Sequence, residues 1–230
     1  MRYYLCSSLV DYSKMELHNE YHWVEDLLKH VHFPCHALLV ASSPDEIEKT
    51  RRYAQEIVDV MDKQGLCLSG FDILDRNSAK RTKELVNKAD IIIAMGGHVP
   101  TQNAFFQEID LKKHLQEFRG IWIGSSAGSM NSATIVYAQP ELEGEVIDPT
   151  YQRFIPGLGL TEKMFLPHYS SWKNDVVDGL RLLEDVTYPD SQGHTFYLME
   201  DGSYVLGDTE EKIEEVVGEY YVLRDGVIVQ

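Results

Sequence analysis

The segment Gly124-Ser125-Ser126-Ala127-Gly128 places a hydroxyl between two glycines at the spacing Gly-x-Ser-x-Gly, directly after the apolar run Ile121-Trp122-Ile123. That is the nucleophile-elbow pattern. A serine at the apex of a strand-to-helix turn takes a strained backbone so that its hydroxyl stands clear of the sheet. Glycines two residues before and two after let strand and helix approach without a clash. A helix starting near Ala127 turns its first N–H groups toward a reacting carbonyl, so the Ala127 N–H is placed as one oxyanion donor. The same spacing also suits a Gly/Ser turn that caps a helix or cradles an anion. The surrounding residues must decide.

A serine nucleophile needs a base, and the chain has nine histidines. His18 and His22 are four apart but lack the H-E-x-x-H pattern, so they read as a polar helix face. His168, in Leu166-Pro167-His168-Tyr169, follows an apolar strand-like segment and precedes a helix. That puts it at a sheet edge, where general bases of α/β enzymes sit. Between Ser126 and His168 the acids Glu141, Glu143, Glu145 and Asp148 are all open as the carboxylate that would orient it. A second glycine pair, Gly96-Gly97 before His98, ends the apolar run Ile91 to Met95. Gly97 can present an N–H opposite that of Ala127, completing a two-donor oxyanion hole.

Taken together these segments resemble peptidase family S51, the aspartyl dipeptidase (peptidase E) and cyanophycinase group. The resemblance rests on Ile92 to Gly97, on the Gly124–Gly128 elbow, on Gly157-Leu158-Gly159-Leu160 and on Leu166-Pro167-His168-Tyr169. It implies a class I glutamine amidotransferase-like fold, Ser126 as nucleophile, His168 as base, and oxyanion donors at Gly97 and Ala127. It also implies an acid some fifteen residues after the serine, a place Glu141 occupies. Serine at the elbow, where amidotransferases of that fold carry cysteine, points to the peptidase branch. Two departures bear on specificity. The turn after Gly97 runs His98-Val99-Pro100-Thr101, and the arginine-bearing segment that dipeptidase E-like members have after the histidine is missing. Arg153 and Lys173 are the nearby candidates to replace that cation.

These residues need a scaffold, and the pattern supplies one. Apolar runs at Tyr3–Leu9, Ala37–Ala41, Leu66–Leu74, Ile91–Met95 and Ile121–Gly124 are continuous rather than alternating, as in strands buried on both faces of a parallel sheet. Helical spacing predicts helices over Met15–His30, Pro44–Gln64, Ser78–Lys88 and Thr101–Phe118, with Ser43 as N-cap of the second and Gly65 as its stop. The expected fold is α/β: an open, mostly parallel sheet flanked by helices, flavodoxin-like or class I glutamine amidotransferase-like. A short antiparallel portion follows it. It comprises a helix over Trp172–Asp185, strands at Phe196–Met199 and Ser203–Leu206, and a hairpin around Asp225-Gly226. No linker-like stretch or repeat divides residues 1–230, so one domain is expected.

Composition narrows the partners. Lys and Arg number 21 against 37 Asp and Glu, a net charge of −16, which disfavours nucleic acid and anionic membrane surfaces as partners. The densest acidic stretch, Glu200 to Glu219, holds only Lys212 among its cations and reads as a solvated face. Three widely spaced cysteines argue against a disulfide framework or zinc ribbon, with Cys6 and Cys67 expected in the core. The first residues lack a signal-peptide pattern, and a cytoplasmic location is expected. The reading is a serine hydrolase acting on an amide bond of a small peptide, with no cofactor and no metal. Assembly as a monomer or homodimer stays open. An α/β-hydrolase esterase would show the same elbow, but only 42 residues separate Ser126 from His168, which leaves little room for its further strand–helix units. A non-catalytic small-molecule binding module is the alternative from another class.

Overall fold

The computed structural model describes residues 1–229. Its central sheet is built from β1 (Arg2–Cys6), β2 (Cys35–Val40), β3 (Leu68–Leu74), β4 (Ile91–Ala94) and β5 (Ile121–Ser125). Later in the chain come β6 (Met164–Leu166), β7 (Thr195–Met199), β8 (Tyr204–Asp208), β9 (Ile213–Val217), β10 (Tyr220–Arg224) and β11 (Val227–Ile228). The seven-stranded sheet runs β9-β8-β1-β5-β4-β2-β3. Its five N-terminal strands are mutually parallel, β8 adds antiparallel to β1, and β9 pairs antiparallel with β8. The expected α/β architecture with a mostly parallel sheet is therefore present.

The continuous apolar runs have a simple cause: each strand of the sheet centre is covered on both sides. Leu38, Val40, Ile92 and Trp122 point into one core with Phe105 and Phe106. Ala37, Leu39, Ile91, Ile93 and Ile123 point into the other with Trp23, Leu27 and Ile57. Alternation along each strand thus divides one unbroken apolar run between two cores. A third cluster, around Tyr137, Leu166, Trp172, Phe196 and Leu198, lies under a four-stranded sheet ordered β6-β7-β10-β11.

The helices depart from the predicted spans at particular residues. Only α1 (Trp23–His30) of the Met15–His30 segment is helical; Glu16–Leu17 pairs with Val10–Asp11 instead. The Asp11 carboxylate accepts the Ser13 N–H and hydroxyl, fixing the turn, and His22 enters α1 with a left-handed φ of 63°. Helix α2 (Ile47–Lys63) starts three residues later than predicted, and Ser43 offers its carbonyl to Glu46 N–H rather than a side-chain cap. Gly65, at φ 81°, ends it as expected. The Ser78–Lys88 prediction resolves into a short 3₁₀ turn over Ala79–Arg81 and α3 (Thr82–Lys88). The Thr101–Phe118 prediction splits into α4 (Val99–Glu108) and α5 (Leu111–Leu115), broken at Asp110 with φ 49°. The Trp172–Asp185 helix is absent. Val176–Val177 and Leu180–Arg181 form a hairpin there, turned by Asp178-Gly179 with φ 53° and 79°, before a π-helical turn over Leu182–Thr187. Among the described residues no helix is long and apolar enough to cross a membrane.

Candidate active site

Strand β5 ends at Ser125 and α6 (Ala127–Met130) begins two residues on. Ser126 lies between them at φ 49°, ψ −112°, a conformation costly for a residue with a Cβ. Its N–H donates to Cys6 carbonyl (3.1 Å) and its carbonyl accepts Ser129 N–H (2.8 Å), so both flanks hold the strain in place. The glycines are sterically required. A Cβ on Gly128 would lie 2.2 Å from the Ala94 carbonyl oxygen, and one on Gly124 would lie 2.8 Å from the Ser129 backbone. The elbow is thus wedged between β1 and β4.

His168 follows β6 and precedes α7 (Tyr169–Trp172), and is itself left-handed at φ 58°. Its backbone N–H donates to the Ser7 hydroxyl (2.9 Å), and its Nδ1 lies 2.6 Å from Asp201 Oδ1. The Ser7 hydroxyl, fully buried at the end of β1, also approaches Asp201 Oδ1 (3.0 Å) and the Met199 carbonyl (3.3 Å). One serine thereby ties the imidazole's backbone to the carboxylate that holds its ring. With Nδ1 on a carboxylate, Nε2 is the ring nitrogen left for other chemistry. Asp201 sits in the turn from β7 to β8, where the chain passes from the second sheet to the first. Burial pushes its carboxyl up, but the His168 hydrogen bond and charge, with Ser7, outweigh that and hold it below the usual carboxylate value.

The residue on His168 Nδ1 is therefore Asp201, and not Glu141 as the resemblance implied. Glu141 lies on the rim of a hollow that also reaches Ser126 and His168, with its backbone N–H on Glu145 (2.8 Å). Desolvation raises its carboxyl above the ordinary range despite an open outer edge. The other candidate acids serve the loop. Glu145 bonds His98 Nε2 (2.8 Å) and accepts the N–H groups of Glu141 and Leu142. Asp148 caps Thr150, and Glu143 is exposed. Asp201 belongs to the stretch read from sequence as a solvated face. The one local sign of a different role is an Asp-Gly turn directly after the apolar strand β7.

Two hollows meet at Ser126 and His168. The first, about 190 Å³, is lined by Gly96, Gly97, Leu9, Tyr12, Tyr53 and Ile57 among others. The second, about 380 Å³, reaches Met130, Gln139, Glu141, Trp172, Asp175 and Leu182. Gly97 thus borders the first hollow beside Ser126, and Ala127 is buried immediately after it. Among the described residues the Ser126 hydroxyl has no hydrogen-bond partner, and neither Arg153 nor Lys173 lines either hollow. Arg153 is paired with Asp190 (2.7 Å), and Lys173 lies over the Tyr169 ring. No group of His, Cys, Asp and Glu able to hold a metal occurs among the described residues. His18 and His22 instead pair with Glu20 and Glu25.

A mostly parallel sheet flanked by helices, with a strained serine at a strand-to-helix elbow and, lining the same hollows, a carboxylate-held histidine that follows a strand of the second sheet, defines a hydrolase-like architecture. The profile of peptidase family S51 matches residues 37–214, and the chain belongs to that family. Two solved structures share its fold. A peptidase from an acI-B1 Actinobacterium is 20% identical with TM-score 0.61, covering 97% of this chain and 91% of its own. A putative peptidase E protein from Listeria monocytogenes EGD-e is 16% identical with TM-score 0.62, covering 94% of this chain and 98% of its own. A search of curated proteins finds no match.

Proposed function

We propose that the chain is a serine-type peptidase that hydrolyses an amide bond of a short peptide through Ser126, His168 and Asp201. The observation that carries this reading is the strained Ser126 facing the same hollows as a histidine whose Nδ1 is held by Asp201. Family membership supports the peptide bond as the target.

The chemistry follows from the atoms. His168 Nε2 takes the Ser126 hydroxyl proton as Oγ bonds to the substrate carbonyl carbon. Negative charge moves to the carbonyl oxygen, where the N–H groups of Ala127 and Gly97 stabilise it; one such donor is worth roughly 10²–10³ in turnover. The carbonyl reforms, the C–N bond breaks, and the imidazolium gives its proton to the departing amine. Water, deprotonated by the same nitrogen, then cleaves the Ser126 ester and returns the proton to Oγ. Asp201 stays ionised throughout, orienting the ring and balancing its transient positive charge. Hollows of about 190 and 380 Å³ on the two sides of Ser126 suit a residue or two on each side of the cleaved bond.

A fluorophosphonate probe tests the nucleophile. The folded wild-type chain is expected to label at Ser126 near pH 8, with labelling abolished in Ser126→Ala and slowed by orders of magnitude in His168→Ala. A folded wild-type chain that stays unlabelled and cleaves no peptide sinks the reading.

A further inference from the structure

The two hollows differ in charge, and the difference is position-specific. The first has no carboxylate and no Lys or Arg in its wall. The second carries Glu141 and Asp175, and its only titratable nitrogen is that of His168. Neither carboxylate has an ion-pair or side-chain hydrogen-bond partner among the described residues. Gln139 adds a carbonyl oxygen to these two carboxylates. It is 6% exposed and lines the same hollow, its amide N–H donates to Thr187 (2.8 Å), and its carbonyl oxygen receives no hydrogen bond from the described residues. The same hollow is also lined by the apolar side chains of Met130, Leu166 and Leu182 and by the Trp172 indole.

Resting on the serine-peptidase reading, we propose that this hollow binds a Lys or Arg side chain of the substrate, next to the bond that Ser126 attacks. The methylene stem lies along Met130, Leu166 and Leu182, as long cationic side chains do when only their heads need polar partners. The ammonium or guanidinium meets the Glu141, Asp175 and Gln139 oxygens, and the indole can add a cation–π contact. These oxygens accept and none donates, so a group rich in N–H donors is matched and a carboxylate is repelled. An acidic side chain in this hollow would face two like charges with no cation to offset them.

The test is a set of dipeptide amides that differ in one side chain: Lys, Arg, norleucine, Asp or Glu at each of the two positions flanking the cleaved bond. At one position, kcat/KM for Lys and Arg is expected to exceed that for norleucine by about tenfold, with Asp and Glu lowest. At the other position no charge preference is expected. Glu141→Gln and Asp175→Asn should each reduce the Lys-to-norleucine ratio, and the double variant should bring it near one. Glu141→Lys should raise the Asp-to-Lys ratio. Equal or better turnover of the Asp and Glu substrates at both positions overturns the proposal, as does a ratio unchanged in the double variant. An α-N-acetylated Lys substrate separates the side chain from the chain's own amine. With both the Lys and the norleucine substrate acetylated the ratio should persist, and a Lys substrate cut no faster than its norleucine counterpart in this pair overturns the side-chain assignment. Labelling of Ser126 by the fluorophosphonate is independent of substrate charge. A labelled enzyme without cation preference therefore refutes only this proposal, whereas an unlabelled, inactive one refutes the peptidase reading as well.

Discussion

At the scale of single residues, the division of labour between Asp201 and Glu141 is the sharpest point to test. Asp201→Asn leaves a side chain of the same size but favours the wrong imidazole tautomer, so kcat is expected to fall by roughly 10³–10⁴ with KM little changed. Glu141→Gln should leave His168 oriented, and steady-state kinetics on a norleucine substrate would reveal a collapse comparable to that of Asp201→Asn if the assignment were reversed. Glu141 also has a stability signature. Burial raises its carboxyl, so the folded chain holds this proton more tightly than the unfolded one. Ionisation therefore opposes folding at neutral pH, and the opposition disappears below the ordinary glutamate value of about 4.3. Glu141→Gln should raise the Tm at pH 7, with a gain that shrinks toward zero near pH 4. The position of His168 after an apolar strand could be read from the sequence, and the elbow around Ser126 was legible because local geometry dictates its neighbours: the glycines two before and two after Ser126 have backbone where a Cβ would be. Asp201 was not. Its tie to His168 spans 33 positions and arises only when two sheets meet, and no spacing rule encodes that.

At the scale of elements, the loop that carries Glu141 is held from outside itself. The Asp178 carboxylate accepts the N–H groups of Gly144 (2.6 Å) and Val146 (3.0 Å), and Glu145 fastens the same loop to His98 beside the Gly96-Gly97 turn. Asparagine keeps the left-handed turn that Asp178-Gly179 needs but has one acceptor oxygen instead of two. Asp178→Asn should therefore speed amide hydrogen exchange at residues 144–146 while the exchange of β4 and β5 stays unchanged. The strands were legible because apolar runs buried on both faces have few alternatives. The helices between them were less so. Asp110 and His22 break the helical pattern with left-handed backbone that neither glycine nor proline announces. The Asp178-Gly179 pair did carry the same turn signal as Asp225-Gly226, but helical spacing of the neighbouring Leu and Val residues masked it.

At the scale of the whole molecule, the net charge of −16 is not one uniform solvated coat. Part of it forms specific ties, as between Asp26, Arg2 and Tyr4 on one side of the sheet. Part of it reaches the candidate site through Asp201, Glu141 and Asp175. The thiols divide in an unexpected way. Cys6 and Cys35 are buried, whereas Cys67, placed in the core from its apolar neighbours, is exposed between α2 and β3. Burial pushes the Cys6 thiol up to about 12 and the Cys35 thiol to about 11, so neither offers thiolate near neutrality. A disulfide-exchange reagent such as DTNB at pH 8 should titrate one thiol in the native chain and three in denaturant. Cys67→Ser should abolish the native reaction.

The position of Asp201 also has a consequence for timing. The first strand of the central sheet has β5 on one side and β8 on the other, and Asp201 lies in the turn that delivers β8. On the ribosome, Ser126 and His168 emerge well before that turn does. Until the nascent chain threads β8 alongside β1, Ser7 and the imidazole have no carboxylate to gather around. Under the proposed chemistry, the power to cut peptide bonds arrives only with the closure of the sheet, so an unfinished chain is a poor threat to itself and to its neighbours on the polysome.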